Sequence, residues 1–545
     1  MLRLPAVGTL AWIALGLAAM LAVPVLYVAG NLFVPSGGTW AHLVATVLPE
    51  YIRNTAWLAI GVGIGVMLVG VATAWLVTMC SFTGRRTFEW ALILPLAVPA
   101  YVMAYAYTDF LEVSGPVQTW LREVTGWGVR EYWFPDIRSL GGAISVMVFV
   151  LYPYVYLVTR AAFLEQSVGV LEVGRTLGHG AWGSFFRIAL PLARPAIAAG
   201  TSLALMETLA DFGTVSYFAV PTFTTGIFRA WFSMGDPVSA AQLSAMLLGF
   251  VACVLLLERT TRGRARYHNQ SPRKRMPSFV LTGWRMVAAI AVCLTPLVIG
   301  FLLPAAILLR LTLAQGDEQF GVRFLILARN SVTVSAVAAV LAIALALLMA
   351  YAARLYPGRL TSSANRVASL GYAIPGTVIA VGVLVPVSKL DHALDAFLSS
   401  TFGLSTGLLL TGGIAALVYA YLVRFFSVAL QTVEAGLTRI TPSMESAARS
   451  LGCSPAAVLR RVHAPLLTGS LLTAGLMVFV DVMKELPATF AMRPFNFDTL
   501  AVQAYNLAAD ERLAEAATAS LAIVAVGLVP LVFLSRSITK ARARG

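Results

Sequence analysis

The sequence predicts an all-α integral membrane fold of about twelve transmembrane helices, arranged as two parallel six-helix repeats. Three observations predict it: an apolar composition, apolar runs of spanning length, and a gapless internal match between the halves. Of 545 residues, 59% are hydrophobic and 12% charged, whereas a soluble domain carries about 25% charged residues. A chain this long and this apolar cannot hide its surface from water by folding alone. The bilayer is its solvent.

The runs fall at 10–34, 54–79, 88–110, 140–163, 190–213 and 237–257, then 284–311, 330–353, 365–388, 405–428, 466–489 and 514–535. Each is long enough for a hydrocarbon core of about 30 Å at about 1.5 Å per helical residue. The first run follows Arg3 without an A-x-A cleavage site, so it reads as a retained helix rather than a signal peptide.

The net charge is +14. In a soluble chain that excess points to nucleic acid, but these basic residues sit in short segments between apolar runs and form no stripe on a water-facing fold. With an even number of spans, Arg85, Arg86, Arg160, Arg175, Arg354, Arg359, Arg460, Arg461, Lys540, Arg542 and Arg544 all fall on one side. So does the segment from Arg259 to Arg275. The opposite loops carry Asp109, Glu112, Glu123, Glu131, Asp136, Asp317 and Glu318. The positive-inside rule then makes both termini cytoplasmic. The basic segment, 259–283, divides the chain into halves 1–258 and 284–545 and reads as a solvated anchor and linker.

The halves repeat one another. Asn54-Thr55 opens the second span and Asn330-Ser331 the eighth, and "LAVPAY" around Pro99 parallels "YAIPGT" around Pro375. Further on, a constant shift of 274 pairs Arg175 with Arg449, Gly178 with Gly452, Pro191 with Pro465, Glu207 with Asp481, Asp211 with Glu485 and Asp236 with Asp510. Six spans return the chain to its starting side, so the repeats are parallel, with a pseudo-twofold axis along the membrane normal and a path between the halves.

The loop after the fourth span of each half is the most informative stretch. It reads EVGRTLGHGAWGSFFRIALP over 172–191 and SAARSLGCSPAAVLRRVHAP over 446–465. Both predict a short helix, a glycine break, a second short helix and a turn, with the proline opening the next membrane helix. The pattern resembles the EAA motif of ABC-importer permeases: Glu-Ala-Ala, three residues, Gly, nine residues, Ile-x-Leu-Pro. Glu172, Gly178, Ile188, Leu190 and Pro191 match it in the first half, and Ala447, Ala448, Gly452 and Pro465 in the second. Val173 and Gly174 depart from the two alanines. Ser446 stands at the glutamate position, with Glu445 adjacent, and Val462 and Ala464 replace Ile and Leu. The resemblance implies a type I, MetI-like permease whose two loops dock two copies of a separate ATPase. No G-x-x-x-x-G-K-[ST] occurs, so ATP and Mg belong to that partner and this chain binds no cofactor.

Nearly the whole chain, including Glu207–Ser244 and Asp481–Ala517, resembles the fused two-half permeases of bacterial ferric-iron importers. That implies an inner-membrane transport subunit receiving Fe(III) from a periplasmic binding protein. Relatives of similar architecture carry thiamine or phosphonates, and a polyamine is a further alternative cargo. An ion-coupled secondary transporter leaves the paired loops unexplained. An enzyme wants a clustered nucleophile, metal or acid–base set, and the sequence offers none.

Fe(III) is a hard cation suited to carboxylate and phenolate oxygens. Glu207 and Asp211, and their mates Asp481 and Glu485, stand at i, i+4 on one face of their helices, and together line the translocation path. The competing reading has them capping helices or pairing with Lys484, Arg229 and Arg493. Tyr101, Tyr105 and Asp109 share one face of the third span, as a second oxygen-rich stripe or, by the commoner pattern, an interfacial aromatic belt. His42, His179, His268, His392 and His463 lack ligand spacing, and the four cysteines lack CxxC, so no stable metal site is expected.

Overall fold

The computed structural model describes residues 9–35, 38–129, 131–165, 181–262, 279–315, 321–438 and 440–543. Glu172, Arg175, Gly178, Asp317, Glu318 and most of the basic linker lie outside them. Among the described residues, 11 helices are long and apolar enough to cross a membrane, or 12 if one bent pair is a single span. Each of the twelve expected runs overlaps one of these helices, and among the described residues the fold is all-α apart from one two-residue strand pair, Cys80–Ser81 with Phe279–Val280. That pair pins the end of the linker.

The departures from the expected spans lie at prolines and acids. The third span is bent by 90° between Arg85–Ala97 and Ala100–Thr125. Pro99 pushes Val98 out of the helical region, to φ −95° and ψ 113°, because its Cδ crowds the preceding residue. Pro375 does the same to Ile374, at φ −89° and ψ 123°, so the helix of the ninth span begins at Gly376 and runs to Phe402. The helix of the tenth span begins only at Ala415. The loop before it is tied down by acids: Asp391 accepts hydrogen bonds from the Leu410 and Thr411 amides, and Asp395 from those of Thr406 and Gly407.

Contact between helices divides the chain into two compact units. One comprises Met1–Trp40, Ile227–Leu248 and Val322–Gln503; the other comprises Ala41–Gly226, Gly249–Gly321 and Ala504–Gly545. The first is centred on the helices Val322–Leu355, Ala415–Leu437 and Ala464–Met483, with Thr9–Gly30 packed on Gly376–Phe402. There Gly382 admits the Pro24 carbonyl, which lies 2.6 Å from where a Cβ would stand. The second is centred on the corresponding trio, Leu48–Met79, Leu140–Glu165 and Leu190–Ala210. Small residues let helix backbones approach where lipid supplies no hydrophobic drive. The opening helix of each sequence half is therefore grouped with the core built from the other half.

Both cores use the same polar clamp. Asn54 Nδ2 donates to the Pro221 carbonyl at 2.9 Å, and Asn330 Nδ2 to that of Asp498 at 3.1 Å. The next residue, Thr55 or Ser331, accepts from the Phe223 or Leu500 amide. These bonds satisfy irregular backbone at the helix ends. The dipeptides that mark the repeat in the sequence are its fasteners in the fold.

Candidate functional site

The second loop forms an elbow at the foot of the Ala464–Met483 helix. Pro442 starts a short helix, Pro442–Ser450, where its missing N–H costs nothing. Gly452 ends it at φ +82°, a left-handed conformation that L-residues adopt only at a cost of about 1–2 kcal/mol. Met444, Ala447 and Leu451, spaced i, i+3 and i+7, are exposed on one face, Leu451 to 85%. Ala448 is buried on the other side. Val170, Val173 and Leu177 hold the equivalent positions in the first half, outside the described residues.

Arg354, at the end of the Val322–Leu355 helix, grips this elbow. Its guanidinium donates to the Leu437 and Ile440 carbonyls, both at 2.7 Å, and to Glu445 Oε2 at 3.1 Å. One turn earlier, the Tyr351 hydroxyl donates to the Pro455 carbonyl at 2.8 Å. Glu445 also pairs with Arg449 at 3.3 Å and lies 3.8 Å from the buried His463. The elbow is thus fastened to one membrane helix both before and after its glycine turn.

No turn precedes the next span. In both halves the elbow helix runs into the membrane helix through a π-helical segment, Phe185–Ala189 before Pro191 and Leu459–His463 before Pro465. Ile188 lies in the first of these. Val298–Leu302 precedes Pro304 in the same way. A proline inside a helix lacks a donor and crowds the carbonyl four residues back. The wider π turn accommodates it, so the chain bends without breaking.

The four paired acids are not arranged as the spacing predicts. The helices end at Ala210 and Met483, so Asp211 and Glu485 lie beyond their helices rather than one turn along from Glu207 and Asp481. Each caps a following short helix. Asp211 accepts from the Thr214 and Val215 amides at 2.9 and 3.2 Å and from the Thr214 hydroxyl at 3.0 Å. Glu485, 5% exposed, accepts from the Ala488 and Thr489 amides, both at 2.9 Å. Carboxylates suit such positions because helix N-termini present unpaired N–H groups.

The pairs differ in charge. Arg424 donates to Glu485 at 3.1 Å, and Lys484 pairs with Asp481 at 2.9 Å. Arg493 pairs instead with Asp498. A Cβ on Gly376 would stand 2.6 Å from Arg424 Nη1 and 2.7 Å from Glu485 Oε1, so that glycine makes room for the ion pair. Val150 and Ala100 occupy the positions of Arg424 and Gly376 in the first half, and among the described residues no basic side chain forms a salt bridge with Asp211. The sequence reading missed Arg424, although a lone charge in an apolar run is a signal for a functional or paired group.

Tyr101 and Tyr105 are buried, so they do not form an outward-facing belt. Asp109 pairs with Arg310 at 3.3 Å. Tyr105 is 2% exposed and its hydroxyl has no hydrogen-bond partner; leaving such a group unpaired costs about 1–3 kcal/mol. The Tyr101 and Tyr217 rings lie 5.8 and 4.7 Å from its own, the latter edge-on, and Asp211 caps the helix Gly213–Tyr217 that carries Tyr217. Tyr505 shares a 2.9 Å hydrogen bond with Ser216. All of these residues belong to one compact unit.

Residues 66–262 match the family model described as "binding-protein-dependent transport system inner membrane component". The chain is 26% identical over 494 residues to the Fe(3+)-transport system permease protein FbpB 2 of Haemophilus influenzae, covering 90% of each. It is 30% identical over 209 residues to the molybdenum transport system permease protein ModB of Escherichia coli K12, covering 36% of this chain and 87% of that one. The sulfate transport system permease protein CysW of the same organism is 30% identical over 201 residues, 36% of this chain and 65% of its own.

Proposed function

The chain belongs to the family of binding-protein-dependent transport system inner membrane components, and from that premise we propose that it carries ferric iron. It is the multi-pass inner-membrane permease of an ABC importer, a transport subunit that works with an ATPase and a periplasmic binding protein. In our reading the binding protein delivers Fe(III), and both termini are cytoplasmic. Each elbow engages one ATPase copy, which holds the ATP and Mg. The elbows transmit the ATPase cycle as a shift between conformations of the halves.

One observation carries the cargo assignment: similarity to the ferric permease runs through 90% of both chains, whereas the molybdenum and sulfate permeases each align with 36% of this one. The docking assignment is supported by the exposed Met444, Ala447 and Leu451 face and by the Arg354 fastening behind it. Of the acids and phenols expected on the path, we assign Glu207, Asp211, Tyr101 and Tyr105 to it. Asp481, Glu485 and Asp109 are partnered by Lys484, Arg424 and Arg310, and in our reading serve structure.

Uptake of labelled Fe(III) and of labelled molybdate, in cells with and without this chain, tests the cargo. Iron uptake that depends on the chain, with molybdate uptake unaffected, is expected. Iron uptake that is indifferent to the chain sinks the assignment, and molybdate dependence moves the cargo to the oxyanions.

A further inference from the structure

We propose that the Tyr105 hydroxyl and the Asp211 carboxylate, ringed by Tyr101, Tyr217 and Tyr505, form a transient oxygen-donor site for a hard cation in transit. The proposal rests on the reading of the cargo as ferric iron and adds where the ion touches the protein.

The argument begins with what each oxygen lacks. Among the described residues the buried Tyr105 hydroxyl has no hydrogen-bond partner, an arrangement uncommon in native structures, where a bound water or ion is one completion. Asp211 Oδ1 accepts two amide bonds, and Oδ2 accepts one hydroxyl. A carboxylate offers about four lone-pair positions, so one remains on Oδ2. Among the described residues no basic side chain forms a salt bridge with it.

The donor set then selects the class of ligand. Phenol and carboxylate oxygens suit hard, highly charged cations. An oxyanion needs N–H donors or guanidinium forks. The nearby Arg138, 5.0 Å from the centre of the Tyr217 ring, is committed to Glu112 at 2.5 Å and Glu511 at 3.5 Å.

The second half lacks this chemistry at its equivalent positions. Val381 stands where Tyr105 does and Ala491 where Tyr217 does, while Arg424 neutralises Glu485. A merely architectural demand of the repeat would have produced the phenols twice. The site is built into one half, and it is weak by construction: a path must release what it binds.

Terbium(III) is a suitable probe, a hard trivalent ion whose luminescence is excited through neighbouring tyrosines. The full chain is purified with its ATPase and titrated with terbium(III), as wild type and as Tyr105→Phe and Asp211→Asn. Saturable luminescence is expected in the wild type, with about tenfold or weaker apparent affinity in each variant and iron uptake lowered in parallel. Tyr105→Phe removes only an unpaired hydroxyl, so its melting temperature is expected to stay level or rise.

Equal terbium affinity in all three proteins overturns the site, as does competition by molybdate. A Tyr105→Phe protein that loses stability and uptake together also overturns it, because the hydroxyl is then structural. Wild-type iron uptake matched by both variants removes the site and leaves the cargo reading standing. Discriminating terbium binding without any wild-type iron uptake removes the cargo reading and leaves a hard-cation site.

Discussion

After the fifth span, the helix of the first half ends at Ala210, just before Asp211, and that of the second ends at Met483, two residues before Glu485. Both carboxylates cap the next short helix with two backbone amides. Only the second is joined by an arginine, and only there does a glycine, Gly376, clear space for it. A similar exchange occurs between the third and fourth spans, where Glu89 faces Arg160 at 3.9 Å in one half and Asn365 donates to Glu434 at 2.7 Å in the other. The repeat thus keeps the places where polar groups meet and varies their charge. Backbone satisfaction is demanded in both halves, whereas the charge at each such place differs between them.

The largest effect that would break this comparison lies at the buried pair. Arg424→Ala leaves the Glu485 carboxylate uncompensated and is expected to cost about 3–5 kcal/mol. Asp211→Ala removes a cap alone and is expected to cost about 0.5–2 kcal/mol. Unfolding of the two variants in detergent reads the difference, and equal losses would mean that the ion pair adds nothing to the cap.

A smaller effect is expected at the cleared space. Gly376→Ala drives a methyl into the ion pair and should destabilise by about 1–3 kcal/mol. Ala100→Gly in the other half should cost about 0.5–1 kcal/mol through backbone entropy. Repeating Gly376→Ala in an Arg424→Ala background should shrink its penalty; a penalty that persists would assign the crowding to the backbone.

A further effect lies at the elbow. Gly452→Ala places a side chain at φ +82° with open space around it, so only the backbone term of about 1–2 kcal/mol is expected. ATPase activity stimulated by the assembled importer should fall accordingly. A matching fall in Gly178→Ala would sharpen the likeness of the two elbows, and an unchanged Gly452→Ala would remove the turn from the coupling route.

Hydropathy made the spans legible, because lipid demands apolar side chains at every turn of a crossing helix. It blurred their ends. A window average cannot see that Pro99 and Pro375 break a run, or that Asp391 and Asp395 belong to a helix end that binds the following loop. The elbow glycine was legible from local chain chemistry, as were the fastening dipeptides at Asn54 and Asn330. The grip of Arg354 on Glu445 was not, since 91 residues separate them and no spacing rule joins distant helices. Tyr505 and Ser216, 289 residues apart, met only in three dimensions. Arg424 left a visible trace as the single charge in the run 405–428, but its partner did not.

The exchange of opening helices bears on how the protein is made. Thr9–Phe33 is translated well before the core it packs on, which runs from Val322 onward. Before then the segment can meet Gln242, which donates to the Asn31 and Val34 carbonyls, but not the helices that cover it. It has the composition for that wait: no charged residue, a mean hydropathy of 2.2, and just 28% of its apolar window covered even in the finished fold. Neither half, synthesised alone, would hold all the helices of either unit, so each unit is completed only when both halves are present.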